Sequence, residues 1–470
     1  MRIQNLGPIK DGTVQLNRLT VLTGNNGTGK TLAAYSLFAF RYWLENQFTP
    51  NLVTEAQIQQ IIAGEPVTNT VDYYLSVLEK QLIDNFNKLN DSESFYQNFF
   101  RDDSVYVSGT TKLTINKHDI SELILPKEKR LNWFYRWDYN LETDSIEGQS
   151  SVNNLIENRI YSTYLDKSDS IFTYYDVEGG KQEQSGVSQA PSMSQATKLV
   201  SGNIFNDLFA SRKTSFYMPA ERIGINVFRN RLNNQIVNDS LQVPVANANQ
   251  IETTTSANER YPYPIEAYIK YINNSLGRLK EPLDKRVQDE KLKALVDGLV
   301  PGEFVYDEVK NEVNYNLPDQ TENRTVTFNL LSSSLKSLFG IDIFIRNIGE
   351  GNWLFIDEPE MNLHPTRQVM MMDFLYQLAA IGTNVVISTH SDYLVKELMN
   401  LMLADKVKEN TATSQLVRVY NFEASTITDL GDITDDDVEL ANFDITTDQI
   451  NNRYYGLIDQ LDKRGSTHES

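Results

Sequence analysis

Eight consecutive residues near the start of the chain, Gly24-Asn25-Asn26-Gly27-Thr28-Gly29-Lys30-Thr31, restrict what it can fold into more than any other stretch. They follow the apolar run at 19–23 and open the apolar segment from Leu32 to Leu44, so the local order is strand, glycine loop, helix. In that setting the spacing G-x-x-x-x-G-K-[ST] lets backbone N–H groups turn inward onto phosphate oxygens. The N-terminus of the helix adds partial positive charge beneath them. The contact stretch therefore runs from Gly24 to Leu32. Lys30 is placed to reach the outer phosphates of a nucleoside triphosphate, and the Thr31 hydroxyl to hold Mg²⁺.

Two later strands end in polar residues that suit the same chemistry. Trp353-Leu354-Phe355-Ile356 is apolar throughout, as a strand covered on both faces must be, and it delivers Asp357-Glu358-Pro359-Glu360. Ligands of open α/β sheets bind at the C-terminal ends of strands. Asp357 is the candidate for the Mg²⁺ shell, and Glu358 for the acceptor that polarises an attacking water. Taken alone, an Asp-Glu pair at a strand end reads more readily as a turn. Val385-Val386-Ile387-Ser388 leads in the same way into Thr389-His390-Ser391-Asp392. His390 is then a candidate contact to a γ-phosphate, although a lone histidine after a strand is ordinarily structural.

Composition removes several function classes. With 470 residues the chain can hold two or more folding units. It has no cysteine, which excludes disulfides, thiolate catalysis and cysteine zinc sites. His118, His364, His390 and His468 are too scattered to suggest a metal cluster. No apolar stretch reaches membrane-spanning length, and Pro8, Lys10 and Asp11 interrupt any signal-peptide pattern, which favours the cytoplasm. The formal charge of −20 argues against a broad DNA-coating surface, while a local basic groove stays open.

Read in order, residues 2–5, 13–16 and 19–23 suggest strands, with turns at Gly7-Pro8 and Asp11-Gly12. Residues 51–64 and 72–98 carry helical spacing, including Leu75, Leu78, Leu82 and Phe86. The mixed segment 104–180 has strand-like pieces at Val105–Val107 and Ile171–Val177, and Lys181–Thr197 reads as a loop or linker. A strand ends near Met218, helices cover 264–299, and a hairpin with a further strand spans 304–328. A helix begins near Ser333, another covers Pro365–Ala380, and Ser391 is placed to cap a third. A closing hairpin occupies 416–430.

Several of these motifs together resemble a known group. The glycine loop at 24–31, Asp357 to Glu360, Asn362-Leu363-His364-Pro365 and Ser388 to Ser391 are similar to the ABC-type ATPases of the RecF/Rad50/SMC group. Within it they look most like OLD-type AAA-family proteins of anti-phage and repair systems, as does the stretch Tyr217-x-Pro219-Ala220-x-Arg222. The resemblance implies an α/β P-loop NTPase fold, an ABC-ATPase-like head with a mixed α/β sheet. The head would comprise 1–44 and 212–430 with a helical arm at 264–299, a large helical and mixed insertion at 45–211, and an acidic C-terminal segment at 431–470.

The resemblance also implies ATP and Mg²⁺ as ligands, and a sandwich of two heads around two nucleotides. Each head would offer a signature loop to the other, here Leu331 to Lys336, with Ser333 and Ser334 as the contacts. The family has Ser-Gly where this chain has Ser333-Ser334, and a bare capped helix is the alternative. Glu221 and Arg222 lie either near the nucleotide or in a structural ion pair. OLD nucleases carry a Toprim domain beyond the ATPase. Here the acidic run Asp432, Asp435, Asp436 and Asp437 reads as solvated surface. The implied partners are a second copy and a separately encoded nuclease or toxin effector. The rival readings are a DNA-binding repair head and a nucleotide-gated scaffold with negligible turnover.

Overall fold

In the computed structural model of the chain, the described residues are 1–62, 67–89, 93–121, 124, 139–140, 145–146, 154–156, 159–165, 170–176, 193–208, 214–241, 261–280, 287–318, 324–348, 351–408, 416–435 and 451–458. They divide into two units. The smaller comprises Met1–Arg2, Leu37–Tyr96 and Lys112–Ser215, and the larger Ile3–Ser36, Gln97–Thr111 and Phe216–Ser470.

The larger unit is built on a mixed sheet. Its strands are β1 (Arg2–Leu6), β2 (Ile9–Thr13), β3 (Leu19–Gly24), β4 (Ser215–Met218), β5 (Trp353–Asp357), β6 (Asn384–Ser388), β7 (Val417–Glu423) and β8 (Thr426–Asp429). They neighbour one another in the order β4-β5-β6-β3-β7-β8-β2-β1. The run β5-β6-β3-β7 is parallel, β7 and β8 form an antiparallel hairpin, and β8 pairs parallel with β2. Every residue of β3 and β5 is buried, as expected for central parallel strands covered on both faces. Register aligns the ends that matter. Asp357 pairs with Ser388, Ser388 with Leu22, and Phe422 with Gly24.

Five helices bear on the site: α1 (Lys30–Asn46), α2 (Arg222–Leu241), α3 (Ser333–Arg346), α4 (Pro365–Ala380) and α5 (Asp392–Val407). Their starts are fixed by local chemistry. Ser332 accepts from Leu335 N at 3.3 Å to cap α3, and Ser391 accepts from Leu394 N at 3.2 Å to cap α5. Pro365 opens α4, where a missing N–H costs nothing. Val21, Ile356, Ile387, Phe344, Leu375 and Leu394 share one apolar core. Among the described residues no helix is long and apolar enough to cross a membrane.

The structure departs from the sequence reading at definite places. The second strand is Ile9–Thr13 and not 13–16, and Asp11-Gly12 lies inside it. Gly12 pairs with Ile427, and an added Cβ there would stand 2.4 Å from that side chain, so close packing and not turning requires the glycine. The stretch at 264–299 is not a projecting arm. Helices Tyr263–Ser275 and Glu290–Leu299 bury Tyr268, Ile269, Ile272, Leu292 and Val296 in the core of the larger unit. Residues 97–111, expected in the insertion, belong to this unit, where Gly7 N donates to Val105 O at 2.6 Å and Phe99 packs on Tyr263. Val105–Val107 forms only an isolated bridge, Leu6 to Tyr106. The strands Glu303–Asp307, Glu312–Asn316 and Thr325–Thr327 make a separate antiparallel sheet.

The smaller unit holds a four-stranded antiparallel sheet, ordered Val67–Thr70, Ser170–Asp176, Arg159–Leu165, Asn154–Ile156. Its helices include Glu55–Ile62, Val71–Leu89 and Met193–Leu208. The helix from Val71 buries Tyr74, Leu78, Leu82 and Phe86, and Phe86 meets Phe40 and Trp43 in an aromatic cluster. The expected linker 181–197 lies outside the described residues up to 192, and from Met193 it is helix. There Ser201 Oγ accepts from Leu52 N at 2.9 Å.

Candidate functional site

β3 passes through residues 25–29 directly into α1. Gly24 has φ 134° and Gly29 has φ 100°, and both are also closed to a side chain. A Cβ on Gly24 would lie 2.3 Å from Phe422 O, and one on Gly29 2.7 Å from Ile9 Cγ1. Thr28 Oγ1 donates to Asn25 O at 2.8 Å and braces the turn. Lys30 is buried, and its Nζ donates to Gly24 O at 2.9 Å and Asn25 O at 2.7 Å. The ammonium thus lies folded over the loop, on carbonyls whose place phosphate oxygens can take. Burial pushes its pKa down to about 8, against the upward pull of Asp357, Glu358 and Glu360.

The end of β5 meets the start of α1. Thr31 Oγ1 donates to Asp357 Oδ2 at 2.9 Å, and Ser388 Oγ donates to Asp357 Oδ1. Asp357 is buried, and burial lifts its pKa to about 6 even though both hydroxyl contacts lower it. A buried carboxylate flanked by two hydroxyls is a hard-oxygen donor set of the kind Mg²⁺ takes. Among the described residues no three His, Asp or Glu side chains form an all-protein metal cluster.

Glu358 sits at φ 51°, an unfavourable conformation for a residue with a Cβ. The turn is over-determined. Its N–H donates to Ser388 O at 2.9 Å, and its carbonyl accepts from Arg222 Nη2 at 2.9 Å. Backbone strain of this kind collects at functional sites. Glu358 Oε1 stands 3.4 Å from His390 Nε2, and that hydrogen bond, foremost, holds the carboxyl below its ordinary range. His390 Nδ1 lies 3.1 Å from Gly24 O. Both ring nitrogens face oxygen atoms.

A cavity of about 520 Å³ lies over the loop, lined by Asn26, Gly27, Lys30, Leu32, Glu358 and His390 among others. Ser333 and Ser334 do not line it. They form the first turn of α3, where Ser334 Oγ accepts from Arg367 Nη1 at 3.2 Å.

Two further residues shape the site. Arg222 lies beside the candidate nucleotide site, against the turn that carries Asp357 and Glu358, and among the described residues it forms no ion pair. Buried, it donates to four carbonyls: Pro219 O at 3.1 Å, Ser337 O at 3.2 Å, Asp357 O at 2.9 Å and Glu358 O at 2.9 Å. It therefore pins the Asp357-Glu358 turn to α3. Glu360 Oε1 accepts from Thr389 Oγ1 at 2.9 Å and His390 N at 2.8 Å, which sets the position of the histidine. We expect Arg222→Ala to lower stability by about 3 kcal/mol in urea titration, because buried carbonyls lose a charged donor. Arg222→Lys should recover only part, since one ammonium cannot reproduce a planar fork.

The acidic run near the C-terminus is partly answered by a cation. Lys406 Nζ lies 2.6 Å from Asp432 and 3.7 Å from Asp435, while Asp436 and Asp437 fall outside the described residues.

Residues 1–395 match the family described as the AAA ATPase domain. The chain belongs to that family. Among solved structures, this AAA ATPase domain protein is similar to an SmcHead bound to the C-winged helix domain of ScpA, at 8% identity and TM-score 0.33, over 91% of this chain and 95% of that one. It is similar to an SMC head domain from Thermotoga maritima at 9% identity and TM-score 0.28, over 92% and 97%. It is similar also to a Smc head domain with an extended coiled coil, bound to the C-terminal domain of ScpA derived from Pyrococcus furiosus, at 9% identity and TM-score 0.30, over 92% and 95%. Identities and scores this low carry no argument about function. No curated protein matches the sequence.

Proposed function

We propose that this AAA ATPase binds Mg·ATP over the glycine loop, hydrolyses it slowly, and assembles with a second copy in response to nucleotide. The observation supporting this reading is the convergence of Lys30, Thr31, Asp357, Glu358 and His390 in one hydrogen-bonded cluster beside the loop. Lys30 exchanges its carbonyl partners for β- and γ-phosphate oxygens, and Thr31 and Asp357 hold Mg²⁺. Bound Mg²⁺ offsets charge on the transferring phosphate. Glu358, kept ionised beside His390, orients the attacking water, and His390 contacts the γ-phosphate. Ser333 and Ser334 meet the γ-phosphate of the second copy in trans.

Assembly in turn controls a separately encoded nuclease or toxin in anti-phage defence, a role that rests on the resemblance to OLD-type proteins. Nucleotide can drive that output only by binding assembled and free states unequally. The net charge of −20 weighs against direct DNA binding.

Calorimetry with Mg·ATP, phosphate release and sedimentation velocity test the reading in sequence. Absence of ATP binding sinks it altogether. Binding without turnover leaves the scaffold, and turnover with no ATP-dependent change in sedimentation removes the sandwich. A neighbouring reading frame for a nuclease or toxin supports the defence role, whereas repair genes there overturn it. His390→Ala should lower turnover by about 10²-fold with little change in ATP affinity, because its contact strengthens as charge develops on the γ-phosphate.

A further inference from the structure

A second cavity, of about 290 Å³, opens between α2, the three-stranded sheet at 303–327 and the segment leading into α3. Arg229 of α2 lines it. This residue is only 6% exposed, and its Nε has no hydrogen-bond partner. Among the described residues its guanidinium forms no ion pair. Glu312 also lines the cavity, but it is exposed and does not reach Arg229. Burial pulls the arginine pKa down, and only phenols, Tyr306 and Tyr268, oppose this.

An arginine stays protonated in proteins, so the charge persists, and no carboxylate among the described residues pairs with it. Taking such a charge out of water without a partner is costly, and folded proteins rarely retain one without a use for it. The other polar groups of the cavity are divided. Asn226 is committed, donating to Lys336 O at 3.0 Å and accepting from Tyr268 Oη at 2.8 Å. Asn314 and Asn329 line the same space, and their side-chain amides can both donate and accept.

We propose that this cavity is a binding site for a small anion bearing a phosphate or carboxylate group, gripped by the Arg229 fork and oriented by the amides of Asn314 and Asn329. The guanidinium geometry matches either group through two parallel N–H···O bonds. The volume suits a small metabolite and excludes a macromolecule. The site is independent of the nucleotide reading, because none of these residues lines the cavity over the glycine loop.

The test uses the full chain in a Lys30→Ala background, which silences the glycine loop. Inorganic phosphate and succinate are titrated separately by calorimetry, and the comparison is with the Lys30→Ala, Arg229→Gln double variant. At least one anion should bind the background, and the double variant should lose about tenfold or more in affinity. The unliganded melting temperature should rise with Arg229→Gln, because an unpaired buried charge has been removed. A fall in melting temperature would mark the guanidinium as structural and overturn the proposal. So would silence from both anions, or equal binding by both proteins, which would mean adventitious association elsewhere. Asn314→Asp is the second variant should the first not fold. A carboxylate in the cavity should weaken anion binding to a similar degree, and unchanged affinity would again refute the site.

Discussion

Glu358→Gln should reduce phosphate release by about 10²-fold or more while leaving ATP affinity nearly intact. The amide keeps the size of the carboxylate and loses the charge that makes it an acceptor for a water proton. What holds the turn is backbone: Glu358 N on Ser388 O, and Arg222 on the carbonyls of 357 and 358. None of that depends on the side chain, so the cradle should survive. On the proposed function, in which turnover interconverts closed and open assemblies, blocking hydrolysis should collect the chain in its ATP-bound assembled form. Sedimentation velocity with Mg·ATP should show a faster species in the variant than in the parent. A variant that releases phosphate within about threefold of the parent would transfer the acceptor role elsewhere.

The parts of this site that were legible in the sequence are those whose chemistry is local. The glycine loop declares itself because G-x-x-x-x-G-K-T needs only its flanking strand and helix, and both flanks are apolar with the right period. β5 and β6 were legible for a similar reason, being uninterrupted apolar runs ending in polar residues. What stayed hidden depends on distant partners. Val67–Thr70 lies between helical stretches and is a strand only because Ser170–Thr173 pairs with it a hundred residues on. Gly12 resembled a turn glycine because nothing local reveals Ile427 lying over it. The helix Met193–Leu208 begins in a run of Ser and Gln that reads as linker composition, and the described apolar residues it buries, Val200, Ile204, Phe205 and Leu208, all lie at its middle or beyond. The bonding of Arg222 stayed hidden because its partners are carbonyl groups, which every residue carries and no sequence pattern distinguishes. The stretch at 264–299 is a different case. Its spacing gives helices, but amphipathic periodicity does not say which surface the apolar face meets.

Lys30→Ala should abolish measurable ATP binding, a loss of about 3 kcal/mol or more, equivalent to at least about 10²-fold. Two features make the loss large and specific. The lysine is already buried beside the loop, so little is spent in bringing it to the phosphates, and its charge meets a dense group of negative oxygens in a water-poor setting. Calorimetry of the variant checks this, with an unaltered circular dichroism spectrum to show that the fold persists. The same residue sets a pH dependence of opposite sign for folding and for binding. In the unliganded protein Lys30 titrates near 8, below the 10.5 of an unburied lysine, so between those values the unfolded chain holds the extra proton and stability rises with pH. Phosphates near the ammonium raise its pKa again, so the nucleotide complex takes up a proton in that window. ATP affinity should therefore fall above about pH 8, by at most about tenfold per pH unit. Titrations near pH 9 in buffers of different ionisation enthalpy should register the uptake directly. Affinity that stays flat from about pH 7 to pH 9 would mean that Lys30 is not the group facing the phosphates.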